Sequence, residues 1–177
     1  MTDNDSDDAG LVRLMHHDAR WKQEFEQTRS GLFQCSEGRI NQVHHIGSTA
    51  ISGLIARPVI DVVATVEALE DFEDAALCIE GLNFRRVTPP VWAKSACVLI
   101  KPRHGDPTHR VLLAFDTDPL VTATIAVRDH LRGYPEVALR FEETKVEQWR
   151  QGDGDHASYE AEKSLFFQGL HSQLGLA

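Results

Sequence analysis

The stretch from Val43 to Val66, VHHIGSTAISGLIARPVIDVVATV, constrains the fold of this chain more than any other segment. It reads as a short apolar strand, a Gly-Ser-Thr turn, a turn or two of helix, and then a second apolar strand. Gly47 lets the backbone turn tightly and approach a neighbour closely. Ser48 and Thr49 have the side chains of helix caps, and the amides that follow a strand-to-helix turn can face an anion. The second strand, entered through Arg57-Pro58, carries one acid, Asp61, within Pro58-Val59-Ile60-Asp61-Val62-Val63-Ala64. A carboxylate in so apolar a strand costs free energy unless it is paired or holds a cation. Two readings of Asp61 therefore stand side by side: a ligand for a metal, or a structural pair with Arg57 or another arginine. Gly47-Ser48-Thr49 likewise reads either as a phosphate-facing turn or as an ordinary capped one.

Around this segment the elements fall into a pattern. Trp21, Phe25, Thr28 and Leu32 recur at helical spacing and predict a first helix over about residues 18–35. Strands are expected near 41–46 and 58–66, a helix from Ala68 to Ile79 stopped by Gly81, and a strand over Asn83–Val87 ended by Pro89-Pro90. Cys97–Ile100 and Val111–Phe115 read as strands flanking a polar turn. From Pro119 the pattern is helical, with breaks at Gly133-Tyr134-Pro135 and Gly152-Asp153-Gly154. Strands in the first two-thirds and helices in the last third predict an α+β fold: a mixed sheet with helices packed on one face.

Length and charge narrow the functional classes. A chain of 177 residues, 42% of them hydrophobic, suits one domain with a real core. It is expected to occupy residues 11–177, behind an acidic, disordered tail at 1–10. A net charge of −9 argues against broad nucleic-acid or anionic-membrane binding, which needs a basic face. The acidic start is unlike a basic, then apolar, signal peptide, and no apolar run approaches membrane-spanning length. Cys35, Cys78 and Cys97 are odd in number and widely spaced. They read as free thiols in a reducing compartment, and the expected location is cytoplasmic.

The motifs resemble those of the GrpB family, an uncharacterised branch of the nucleotidyltransferase superfamily. Its members carry a similar His-Ile-Gly-Ser-Thr, Pro-Gly-Leu and Lys-Pro-Ile-Ile-Asp-Ile. This chain has His45-Ile46-Gly47-Ser48-Thr49, Ser52-Gly53-Leu54 and Arg57-Pro58-Val59-Ile60-Asp61-Val62. The similarity extends to Asp18-Ala19-Arg20-Trp21, Arg128–Glu136, Lys145, and Tyr159 with Lys163. It implies a nucleotidyltransferase-like sheet, a nucleotide or other phosphorylated small molecule as ligand, and possible Mg²⁺ held by Asp61, the implied catalytic carboxylate. Active relatives place two acids as Asp-x-Asp on this strand and a third on a later one. Here Val63 and Thr65 follow Asp61 on the same face, and Val111–Phe115 has no acid. The metal centre implied is thus incomplete, and any Mg²⁺ binding is expected to be weak.

The implied ligand-binding set is Gly47, Ser48, Thr49, Arg57, His109, Arg128, Arg132, Lys145, Tyr159 and Lys163. His109 falls where relatives show His-x-His, with Val111 in the second place. Neighbouring His44 and His45 face opposite ways on a strand, so both cannot serve one site. Lys145 lies on a stripe with Tyr134, Ala138, Phe141 and Trp149, and Lys163 on one with Tyr159, Phe166 and Leu170. Each lysine either extends outward along its methylenes or serves an anion inside. Arg128 and Arg132 share a helix face and either join Arg57 and Arg110 in a positive pocket or pair with Asp129 or Glu136. Three functions compete: a nucleotidyltransferase, a non-catalytic binding or folding-assistance module, and a small hydrolase using His109 and Asp61. Similar domains fused to dephospho-coenzyme A kinase agree with the second.

Overall fold

The computed structural model describes residues 13–152, 169–170 and 172–175. Five strands, β1 (Ile40–Ile46), β2 (Ile60–Val66), β3 (Arg85–Val87), β4 (Cys97–Lys101) and β5 (His109–Phe115), form one sheet in the order β1-β2-β5-β4-β3. β2 and β5 run parallel, and the other neighbours are antiparallel. Four helices accompany them: α1 (Arg20–Ser36), α2 (Leu69–Gly81), α3 (Pro119–Gly133) and α4 (Pro135–Gln151). The α+β class and the mixed sheet match the sequence pattern. The predicted break at 152–154 begins with Gly152, the C-cap of α4, and Asp153 and Gly154 lie outside the described residues, as do the 1–10 tail, Tyr159 and Lys163.

Strand alternation decides where the helices go. All seven residues of β2 are buried, so both faces of the sheet are covered. Ile60, Val62, Ala64 and Val66 pack with Trp21, Phe25 and Leu32 of α1 and Ala75, Ala76 and Ile79 of α2. Val63, on the other face, packs with Ile46, Leu112, Ala114 and, from α3, Leu120 and Val121. The expectation that the helices share one face is thus refined: α1 and α2 lie on one side and α3 on the other. A strand that reads as a continuous apolar run is buried on both sides, and that signal was present in Pro58–Ala64.

Local chemistry sets the helix ends. Asp118 caps α3 by accepting from the Leu120 amide at 2.8 Å, and Pro119 follows at the first helical position. Pro135 starts α4 directly after Tyr134 closes α3. The resulting α3–α4 hairpin packs on the β1–β2 connection, where Ile51 and Leu54 share a cluster with Val127, Leu131, Ala138 and Phe141.

The reading of three free thiols is corrected. Cys35 in α1 and Cys78 in α2 are joined by a disulfide, with Cα atoms 5.8 Å apart. The two helices lie side by side on one face of the sheet, a proximity across 43 residues that sequence spacing does not reveal. The pairing removes the cysteine argument for a reducing compartment. Cys97 remains a free, half-buried thiol, and burial pushes its pKa up.

Candidate functional site

The β1–β2 connection is built around Gly47. Its φ of 71° and ψ of −173° lie in a region that only glycine adopts without strain. A Cβ there would lie 2.7 Å from Asp61 Oδ2 and 3.2 Å from the Asp61 Cβ. The chain then closes a short 3₁₀ turn, Ser48–Ala50, through Ala50 N–H to Gly47 O (3.1 Å) and Ile51 N–H to Ser48 O (3.1 Å). The amides of Ser48 and Thr49 precede those donors and take no part in closing the turn. The strand-to-helix turn expected over Gly47–Thr49 is therefore present, as a single 3₁₀ turn.

Asp61 sits directly across from Arg110 in the parallel β2–β5 register. Arg110 Nε donates to Asp61 Oδ1 at 2.6 Å, with both side chains largely buried. The structural pairing that the sequence offered for Asp61 is present, with Arg110 as a partner. Arg57 itself lies half-buried on the loop into β2. That loop is fastened by an isolated bridge between Met15 and Ala56, with N–H···O distances of 2.8 and 2.9 Å.

Three of the cations expected to line a phosphate pocket, Arg128, Arg132 and Lys145, hold the backbone of this connection. Arg128 donates to the His45 carbonyl (3.1 Å) and pairs with Asp129 (2.8 Å), the surface partner that the sequence left open. Arg132 donates through Nε (2.9 Å) and a terminal nitrogen (2.7 Å) to the Ala50 carbonyl. Burial, then Arg128, lowers the Arg132 pKa. Lys145 is 1% exposed, lies over the Phe141 ring and donates to Ser48 Oγ (3.2 Å) and the Ile55 carbonyl. It reaches inward, so the snorkelling alternative fails. The stripe is only half buried: Ala138, Phe141 and Lys145 are inside, while Tyr134 and Trp149 are partly exposed.

Two residues of this arrangement were missed. Glu142 Oε2 accepts from the Ile55 amide at 2.7 Å. It lies three residues before Lys145, a spacing that puts both on one helix face, so acid and amine grip the two polar groups of Ile55. His45 is the other. Its ring stacks on Phe25 (centroids 4.7 Å, planes 11° apart), and its Nε2 lies 2.9 Å from Thr49 Oγ1. The Thr49 hydroxyl donates to the Val59 carbonyl (3.4 Å), which assigns Nε2–H of His45 as donor to Thr49. Burial, opposed by Asp61 and aided by Arg132 and Arg128, pushes the His45 pKa down to about 4. His44 lies on the opposite side of β1, paired with Val63 rather than Val62, as alternation requires.

His109 is not brought to Asp61. It registers with Ile60, one residue out of phase with the Asp61–Arg110 pair, and so points to the other side of the sheet. Its Nδ1 meets Thr108 Oγ1 at 2.8 Å, and burial with Lys101 pushes its pKa down to about 4. The expectation of one cavity holding Asp61 and His109 is corrected on this ground, and with it the hydrolase that needs both. Among the described residues, no three His, Cys, Asp or Glu side chains come together as a metal-holding group. Asp116, beyond the far end of β5, accepts instead from Asn41 (3.3 Å).

A family model described as GrpB protein matches residues 11–173. The chain belongs to the GrpB family. The Glutamate-rich protein GrpB of Alkalihalophilus pseudofirmus is 26% identical over 167 residues, covering 89% of this chain and 92% of that protein. A UPF0157 protein of Streptomyces coelicolor is 27% identical over 175 residues, covering 94% and 86%. The crystal structure of the conserved protein GrpB from Enterococcus faecalis has the same fold, with a TM-score of 0.80 at 23% identity over 91% of this chain and 96% of that one. No helix among the described residues of this GrpB-family chain is long and apolar enough to cross a membrane.

Proposed function

We propose that this GrpB-family protein binds a nucleotide or another phosphorylated small molecule at the Gly47–Thr49 turn, beside the Asp61–Arg110 pair. The observation that carries the reading is the turn itself. Its closing hydrogen bonds are donated by Ala50 and Ile51, which leaves the Ser48 and Thr49 amides outside the turn's own bonding as the pair that an anion would take. Gly47 packs directly on the Asp61 carboxylate, so a phosphate on those amides lies next to both an acid and a guanidinium. The chemistry of this donor set suits magnesium poorly without a ligand. Asp61 already accepts from Arg110 through Oδ1, and a hard cation that retains its water needs several oxygens to displace it. Mg²⁺ would be held by Asp61 together with oxygens of a bound phosphate, where it would neutralise charge, and its effect on affinity should be modest.

Catalysis is the point on which two readings divide. Mg²⁺-dependent nucleotidyl transfer is the activity that the superfamily resemblance suggests. A non-catalytic binding or folding-assistance module is favoured by the use of Arg128, Arg132 and Lys145 to hold protein carbonyls. Phosphoryl-group chemistry depends on cations aimed at the transferring group, and these three are aimed at the loop. Isothermal titration with ATP, CTP, GTP, UTP and coenzyme A precursors, with and without Mg²⁺, tests binding. A labelled-nucleotide transfer assay on the same protein tests activity. Binding without transfer supports the module. Absence of binding across the panel refutes the phosphate reading.

A further inference from the structure

Trp92 stands out among the aromatic residues near this site. It occupies the second position of a 3₁₀ turn, Val91–Ala93, that follows Pro89-Pro90 and precedes β4. Trp21 is buried at 4% exposure, whereas Trp92 keeps 38% of its surface exposed beside Val91 at 87%. Its position is fixed from beneath: Ala93 is fully buried and packs with Val98, Leu112 and Ala114 on the α3 face of the sheet. That is also the face of Asp61 and Arg110, which alternate with Val63 and Leu112.

A continuous line of contacts joins Trp92 to the turn. The Arg110 guanidinium lies over the indole, 5.9 Å from its ring centroid. Arg110 Nε bonds to Asp61, and Asp61 lies against Gly47. An exposed, anchored indole thus stands one arginine and one carboxylate away from the amides of Ser48 and Thr49. A guanidinium beside an aromatic face is a stacking surface suited to a nucleobase, because every base has a π-face and arginine adds a cation–π contribution. Bare phosphate compounds have no use for it.

We propose that Trp92 is the base-stacking platform of this site, which makes its ligand class nucleotides rather than phosphate compounds in general. The proposal rests on the phosphate reading of the Gly47–Thr49 turn and adds the base to it. Arg110 stays with Asp61 and backs the indole; the base covers the exposed part of the ring.

The test titrates ATP and inorganic tripolyphosphate into wild type, Trp92→Ala and Trp92→Phe, with thermal midpoints recorded for each. Wild type should bind ATP more tightly than tripolyphosphate. Trp92→Ala should weaken ATP by about 5- to 150-fold, the range of one lost base–aromatic stack. It should leave tripolyphosphate within about twofold. Trp92→Phe, which keeps a stacking face, should restore most of the ATP affinity. ATP binding unchanged in Trp92→Ala overturns the platform, as does an equal loss for both ligands, which marks a structural role. If wild type binds tripolyphosphate but gains nothing from the adenosine, the platform fails while the phosphate reading stands. If it binds neither, both fail.

Discussion

Replacing Gly47 with alanine probes the contact on which the site is built. Two costs add. At φ 71° and ψ −173° an L-residue is strained, which costs on the order of 1–3 kcal/mol. The new methyl would also lie 2.7 Å from Asp61 Oδ2 and 3.2 Å from the Asp61 Cβ. Asp61 cannot swing away freely, because its carboxylate is bonded to Arg110 in a buried strand. Overpacking of this kind costs roughly 1–3 kcal/mol. Gly47→Ala should therefore destabilise the protein by about 2–6 kcal/mol, or lower its midpoint by about 4–24 °C for a chain of this size. Urea titration followed by far-UV circular dichroism measures the first quantity and calorimetry the second. In an Asp61→Ala background the clash with Oδ2 disappears while the strain and the Cβ contact remain, so Gly47→Ala should cost less there. Such coupling is expected of residues in contact. A loss below about 1 kcal/mol in wild type, or equal losses in both backgrounds, would refute the packing argument.

Three further outcomes follow from other contacts. Lys145→Met removes a buried amine that donates to Ser48 Oγ and the Ile55 carbonyl; unfolding free energy should fall by about 2–3 kcal/mol, the scale of charged hydrogen bonds, and an unchanged urea midpoint would deny Lys145 its role in the loop. Burial depresses the His45 pKa to about 4 from an ordinary 6.5, so the unfolded chain takes up this proton first and the contribution to stability, complete above pH 6.5, is lost as pH falls toward 4. His45→Gln should flatten the urea stability profile across that window, and a profile of identical slope would count against the depressed pKa. Thiol titration of the denatured, unreduced protein should find the Cys97 thiol alone, and reduction of Cys35–Cys78 should lower stability by about 2–4 kcal/mol for a loop closed across 43 residues; three reactive thiols before reduction would contradict the pairing.

Local signals in the sequence were sufficient for the elements. Pro119 and Pro135 announced the starts of α3 and α4, and the apolar run at Pro58–Ala64 announced a strand buried in the sheet. Parallel pairing of β2 with β5 was not legible, because it is set by register between segments almost fifty residues apart. That register chose Arg110 for Asp61 and sent His109 to the other face. Lys145 illustrates a different limit. Its place on an apolar stripe left open whether it reached outward or inward; the fold turns it inward, onto Ser48 Oγ and a backbone carbonyl, groups that no residue pattern advertises. The same holds for Arg128 and Arg132, whose targets are the carbonyls of His45 and Ala50. The disulfide escaped notice because helix adjacency, rather than spacing, brings Cys35 to Cys78.

An anion on the Gly47–Thr49 turn should be held through amides, with Asp61 acting as a structural acid more than a metal ligand. Isothermal titration of ATP into wild type, Ser48→Ala and Asp61→Ala, each with and without Mg²⁺, decides the point. Wild type should bind in both conditions, with Mg²⁺ improving affinity only slightly. Ser48→Ala, which disturbs the turn and its Lys145 contact, should bind ATP more weakly. Asp61→Ala, once its fold is verified by circular dichroism, should bind within about threefold of wild type, or more tightly, since a negative charge next to the phosphates is gone. Loss of Mg²⁺-dependent binding in Asp61→Ala, with metal-free binding untouched, would contradict the claim and establish a working metal centre at Asp61.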